Sequence, residues 1–333
     1  MRQFRRAALR GISMSVALAV SLAALTVRVG AQDAYPSKPI RLVVTTAAGG
    51  ALDLVARTTA ERLSESLGQP LIIENLPTGN GSIAAGQIAK ANPDGYTIMM
   101  SVDSTLTVNP HLYKNLPYDP FKDFAPVSIV TQLPLVLVTG AASKATNVRE
   151  LIALAKANPG KLNYASTGIG TQLHIGMELF KLVTKTDIVH VPYRGTTGAM
   201  ADLLGGRIEM VLIGQSSAKA QAEAGKVRIL GIASPKRSPL MPNVPTMAEA
   251  GVPGYEVSSW FAMLAPAKTP KAIVARLSAE IKKAAQHPKF IAALTSQGME
   301  ILATTPEQMQ EAMKTTSKKW GDVITATGTT INQ

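Results

Sequence analysis

Two short stretches carry residues whose types and spacing suit anion chemistry. Residues 43–57 read VVTTAAGGALDLVAR and residues 164–174 read YASTGIGTQLH. Each runs from an apolar strand pattern through small and glycine residues into a helical pattern. In the first turn the candidate contacts are Thr45, Thr46, Ala47, Gly49, Gly50 and Asp53; in the second they are Ser166, Thr167, Gly168, Gly170 and Thr171. Main-chain N–H groups at a helix N-terminus, backed by the positive end of the helix dipole, hold a carboxylate or phosphate without any basic side chain. The hydroxyls of the second turn add donors. The structural alternative is that the glycines only turn the chain and the hydroxyls only cap the helix.

Nucleotide chemistry is disfavoured. Neither turn contains the Gly-Lys-Ser/Thr that reaches the outer phosphates, and Leu173 stands where a dinucleotide fingerprint has its third glycine. Asp53 falls in the first helical turn, where it either ties down loop N–H groups or receives a polar group of the ligand. Nucleophilic catalysis has one candidate, Ser216 in Gly214-Gln215-Ser216-Ser217-Ala218, an imperfect elbow with alanine for the last glycine. It would need a downstream histidine, and only His287, before Pro288, follows it. His111, His174, His190 and His287 show no metal-binding spacing. His190 reads as a hydrogen-bonded structural residue. No metal and no organic cofactor are expected.

The elements that must position these turns alternate along the chain. Strand patterns lie at 40–45, 71–74, 97–101, 129–138, 163–165, 188–191, 210–213, 227–233 and 260–264, with helical patterns at 53–67, 82–91, 148–157, 172–183, 198–204 and 217–224. That order predicts βαβ units and mostly parallel sheets. Asn147 with Glu150 forms a capping-box pattern, and Thr269-Pro270 and Thr305-Pro306 each place a hydroxyl before a proline at a helix start. Met309, Met313, Trp320 and Val323 share one face of a C-terminal helix, which reads as core.

The N-terminus sets the compartment. Arg2, Arg5, Arg6 and Arg10 precede an apolar run at 12–27, and Val29-Gly30-Ala31 supplies small residues. This predicts a signal peptide over 1–31, cut between Ala31 and Gln32, with Arg5-Arg6 leaving twin-arginine export open beside the general route. The full chain holds 34 Lys and Arg against 22 Asp and Glu, and loss of the five arginines in 1–31 leaves about +7. The excess favours anionic solutes weakly, while the absence of long basic runs argues against nucleic acid. With no cysteine, an exported fold must stand on its core alone, most naturally as two lobes.

Beyond these local signals the chain resembles the Bug family of extracytoplasmic solute receptors, the binding proteins of tripartite tricarboxylate transporters. The resemblance rests on YPSKPIRLVV from Tyr35, ANPDGYTI from Ala91, NPHLY from Asn109, LPYDPFKDFAPVS from Leu116, HVPYRG from His190, DLLGG from Asp202, VPTMAEAG from Val244 and LAPAKTP from Leu264. It implies a two-lobed α/β periplasmic binding-protein fold, with lobe one at 32–132 and 259–333 and lobe two at 133–258. Leu133-Pro134 and residues 258–260 would be the hinge. It further implies an organic acid in the cleft, held by residues 45–53, 101–105 and 166–171, delivery to integral membrane subunits, and a monomeric receptor without catalysis. A sensor acting through a signalling partner, or an exported hydrolase using Ser216, are the competing readings. Two departures bear on the ligand. Thr46 stands where the family usually has phenylalanine, and Asp103, beside Ser104 and Thr105, stands where it has small or hydroxyl residues. Asp103 is expected either to meet an amine or hydroxyl on the ligand or to face solvent.

Overall fold

The computed structural model describes residues 35–331; the segment read as a signal peptide and its cleavage point lie outside them. Among the described residues, ten strands form one mixed sheet in the order β2-β1-β3-β9-β4-β7-β5-β6, with β8 and β10 also paired to β4. The strands are β1 Ile40–Val44, β2 Leu71–Asn75, β3 Thr97–Val102, β4 Phe124–Gly140, β5 Asn163–Ser166, β6 Val189–Pro192, β7 Met210–Gly214, β8 Val227–Ile232, β9 Ser258–Pro266 and β10 Glu300–Ile301.

Parallel pairing is confined to the two flanks. β1 runs parallel to β2 and β3, and β5 runs parallel to β6 and β7. Between the flanks, β4 and β9 run antiparallel, from Phe124 opposite Pro266 to Pro134 opposite Ser258. The remainder of β4, from Leu135 on, pairs with β7 and β8. A 17-residue strand therefore serves both halves, and Pro134, which has no N–H to donate, stands where its pairing changes partner. The strand pattern at 129–138 captured only the middle of it, because Pro126 breaks the apolar run before it and Thr139-Gly140 end that run after it.

The helices are α1 Ala51–Leu67, α2 Ser82–Ala89, α3 Asp103–Thr107, α4 Asn109–Leu112, α5 Val148–Ala157, α6 Gln172–Thr184, α7 Thr196–Leu204, α8 Gln215–Glu223, α9 Lys271–Ala284, α10 Pro288–Thr295 and α11 Pro306–Thr327. Asn147 caps α5 through the Glu150 N–H, and Thr305 and Gln308 form a reciprocal capping box on α11. The expectation for Thr269 fails: α9 begins after Pro270, no side chain caps it, and the Thr269 hydroxyl is buried without a partner.

Each half has its own core. Val43, Met99, Leu106, Trp260 and Leu264 pack with Met309 and Met313 of α11, so the methionine stripe is core as its spacing predicts. Each such side chain contributes about 1.5–3 kcal/mol over leaving it in water. Val136, Val138, Ala165, Val211, Ile213 and Leu203 form the second core. The C-terminal ends of β1, β3 and β7 run into α1, α3 and α8, which brings those helix starts toward the crossing strands.

Candidate functional site

A cleft of about 730 Å3 lies where the two halves meet, a volume typical of small-molecule sites. Its floor is apolar: Val102, Leu133, Leu135, Ile213, Phe261 and Met299 come from β3, β4, β7, β9 and the turn before β10. Its upper walls are helix starts and hydroxyls. Among the lining residues the only charged side chains are Asp53 and Arg57, and they pair with each other at 2.9 Å.

The first glycine turn is built to present main-chain N–H groups. Gly50 precedes α1 with extended backbone and no side-chain cap. The first intrahelical bond runs from the Leu54 N–H to the Gly50 carbonyl, so the N–H groups of Ala51, Leu52 and Asp53 have no partner within the helix. Gly50, Ala51 and Leu52 all line the cleft.

Asp53 braces this turn from beneath. Its Oδ2 accepts the Gly49 N–H and the Arg57 Nε–H, each at 2.9 Å, and its Oδ1 accepts Asn75 Nδ2 at 2.9 Å. Asn75 also donates to the Thr46 carbonyl at 3.0 Å. Burial would raise the Asp53 pKa, but the bonds from Arg57, Gly49 and Asn75 outweigh it and hold the group below the usual carboxylate range. Gly49 takes φ +83°, the left-handed conformation that lets the chain double back onto Asp53.

The second glycine turn is arranged differently. Its glycine N–H groups are consumed internally: Gly168 donates to Ser166 Oγ at 3.2 Å and Gly170 to His174 Nδ1 at 3.1 Å. Thr171 caps α6, accepting the His174 N–H while its own hydroxyl donates to the Gly168 carbonyl. Of residues 166–171 only Thr167 lines the cleft, followed by Leu173. The second half instead presents α8, whose Gly214 N-cap carries no side-chain bond, with Ser216 and Ser217 in the cleft wall. Thr196, the first residue of α7, joins them.

The sequence-derived candidates thus divide. Thr46, Gly49, Gly50, Asp53 and Thr167 line the cleft; Thr45, Ala47, Ser166, Gly168, Gly170 and Thr171 stand around it without lining it. Residues 103–107 are a short helix rather than an open loop, and Asp103, Ser104 and Thr105 are buried. Thr105 donates to the Asn80 carbonyl at 3.0 Å and accepts, through its carbonyl, the Tyr118 hydroxyl. Asp103 therefore does not face solvent. It lies one layer behind the wall, where Ser259, a lining residue, donates to its Oδ1 at 2.9 Å. Its Oδ2 has no hydrogen-bond partner of good geometry. Burial pushes the carboxyl up to about 7, against bonds from Ser259 and from main-chain N–H groups.

Arg57, Thr196, Ser217, Ser259 and Met299 were not singled out beforehand. Ser217 had a sequence signal as neighbour of the elbow serine, and Ser259 fell in the expected hinge segment 258–260 without being read as a lining residue. Ser216 reaches the cleft, and among the described residues no hydrogen bond joins it to a histidine: His174 and His190 stack on each other, His111 bonds Ser317 Oγ at 2.9 Å, and His287 faces Arg62 at 3.4 Å.

Two halves joined by crossing strands, with uncapped helix starts facing one cleft, define a periplasmic binding protein fold. Residues 55–329 match the model of the tripartite tricarboxylate transporter family receptor, and the chain belongs to that family. Protein BugT of Bordetella pertussis (strain Tohama I) is 37% identical over 297 residues, 89% of this chain and 91% of BugT. Rpa4515 of R. palustris, solved with adipate, is 34% identical with a TM-score of 0.82, covering 89% of this chain and 100% of that one. MatC (Rpa3494) from Rhodopseudomonas palustris, solved with bound malate, is 31% identical with a TM-score of 0.79, covering 87% and 100%. The family and these neighbours are solute-binding receptors.

Proposed function

We propose that the protein is exported, loses residues 1–31, and captures a small organic carboxylate that it delivers to the membrane subunits of a tripartite transporter. The lobes would be residues 32–132 with 259–333, and 133–258, moving about the β4–β9 crossing. The observation that carries this reading is the uncapped start of α1, whose first residues line the cleft and whose first three N–H groups have no partner within the helix, with no unpaired cation among the lining residues. A carboxylate placed there gains charge-assisted hydrogen bonds and the dipole of a 17-residue helix. Ser216, Ser217 and Thr196 would close on it from the other half, and Asp103 would act on the ligand's polar substituents through Ser259.

The relatives solved with adipate and malate support the ligand class. A thermal-shift series with adipate, malate, their amides and their methyl esters tests it. A solute that binds only the folded state must raise the melting temperature. The acids are expected to do so and the neutral amides and esters are not. Equal shifts from the neutral analogues would refute carboxylate recognition, and turnover of the esters, abolished by Ser216→Ala, would turn the reading toward hydrolysis.

A further inference from the structure

His174 and His190 do not line the cleft, yet both imidazoles end on the turn that carries Thr167 into it. His174 of α6 and His190 of β6 stack with ring centroids 4.0 Å apart, and Tyr164 of β5 continues the stack 4.9 Å from His190. His190 Nε2 stands 2.7 Å from Ser166 Oγ at the entry to the turn. His174 Nδ1 accepts the Gly170 N–H at 3.1 Å at its exit. That bond leaves the proton of neutral His174 on Nε2. Gly170 has φ +79°, and a Cβ added there would lie 2.9 Å from Leu112 Cδ1, so the turn has little room to settle elsewhere.

We propose that His174 and His190 are positioning residues for solute capture: they pin the two ends of the 166–171 turn and so set where Thr167 and Leu173 stand in the cleft wall. This rests on reading the cleft as the solute site. The groups around the pair are Tyr164, whose hydroxyl donates to Glu178 Oε1 at 2.6 Å, and Lys181, which pairs with Glu178 at 2.8 Å. Burial lowers His174 to about 4, with Lys181 adding to the effect. Burial, then His174, lower His190 to about 3, with Glu178 opposing and Lys181 assisting. Near neutral pH both rings are therefore uncharged. Protonating His174 Nδ1 replaces the acceptor of the Gly170 N–H with a second donor, and the turn is released.

Amide hydrogen exchange of residues 166–173 reads the positioning without any ligand, and titration with adipate and malate reads its consequence. His174→Phe keeps a flat ring but no acceptor, whereas His174→Asn places Oδ1 near the position of Nδ1. His174→Phe is expected to speed exchange in 166–173 about tenfold and to weaken binding of the better acid about tenfold, the size of one lost hydrogen bond. His174→Asn is expected to restore most of both and, as pH falls from 5 to 3 through the His174 value of about 4, to lose less affinity than the native protein is expected to lose, the protonation of the acid itself being common to both. Should His174→Phe not fold, His190→Phe against His190→Gln makes the same comparison at Ser166. Native-like exchange in the phenylalanine variants, an asparagine variant as impaired as the phenylalanine one, or faster exchange spread evenly along the chain would overturn the proposal. If neither acid binds the native protein, the carboxylate reading fails while the exchange data still decide the role of the histidines.

Discussion

The two strand–glycine–helix turns look alike in sequence and differ in what they leave unbonded. In the first, Asp53 and Asn75 brace the turn from beneath, and the start of α1 is left open toward the cleft. In the second, Thr171 caps α6 and the glycine N–H groups go to Ser166 and His174. A glycine turn ahead of a helix is therefore a place where an anion seat is possible. Whether it is one depends on which side chains reach the N–H groups first.

The contrast is broken most severely at Asp53. Asp53→Ala removes three hydrogen bonds from the first turn. It is expected to lower acid affinity about a hundredfold and stability by roughly 1–3 kcal/mol, measured by titration calorimetry and urea unfolding. Asp53→Asn retains the acceptor for the Gly49 N–H and is expected to recover part of both.

A second prediction concerns pH. His174 and His190 titrate lower in the folded state than the ordinary 6.5, so the unfolded chain binds more protons below that value. Their contribution is fully present above pH 6.5 and is lost as pH falls through about 4 for His174 and about 3 for His190. Asp103 works in the opposite direction. Raised from 3.8 to about 7, it favours the fold below pH 3.8 and withdraws that contribution as pH rises to 7. Asp103→Asn is therefore expected to remove a loss of stability that runs from pH 4 to pH 7 as pH rises, while His174→Asn removes one that runs from pH 6.5 to pH 4 as pH falls. Melting temperatures across that range check both. The affinity of Asp103→Asn for hydroxy acids against plain acids checks whether Asp103 acts on the ligand: an unchanged preference removes it from the site.

Smaller effects separate scaffold from contact. Gly170→Ala, strained by its positive φ and by Leu112, is expected to cost about 1 kcal/mol or more in stability. Ser217→Ala removes one hydroxyl from the rim of the cleft, and a loss of affinity below about tenfold with unchanged melting temperature is expected.

Much of this was legible beforehand, for identifiable reasons. The short strands β1, β3, β5 and β7 are apolar runs bounded by turn residues, and their observed ends lie within a residue or two of the pattern. Helix α11 was readable from Thr305, Gln308 and its apolar face. Other features depend on distant pairing. Asp103-Ser104-Thr105 has the composition of a loop, but burial against β9 makes it helical. Nothing local to Asn75 or Ser259 indicates that one braces a turn 22 residues away and the other screens a carboxylate 156 residues away. Ser216 and Ser217 were visible as an elbow, yet what they contribute to the cleft wall is the start of an uncapped helix.

The central claim is that the N–H groups at the start of α1 hold the solute's carboxylate, and Ala51→Pro tests it most directly. Proline suits the first helical position, and Gly50 before it already has the extended backbone that proline requires. The substitution therefore deletes one N–H while leaving the helix intact. Measured by titration calorimetry with adipate and malate, affinity is expected to fall roughly ten- to a hundredfold at unchanged melting temperature. Native affinity in a folded Ala51→Pro protein would contradict it.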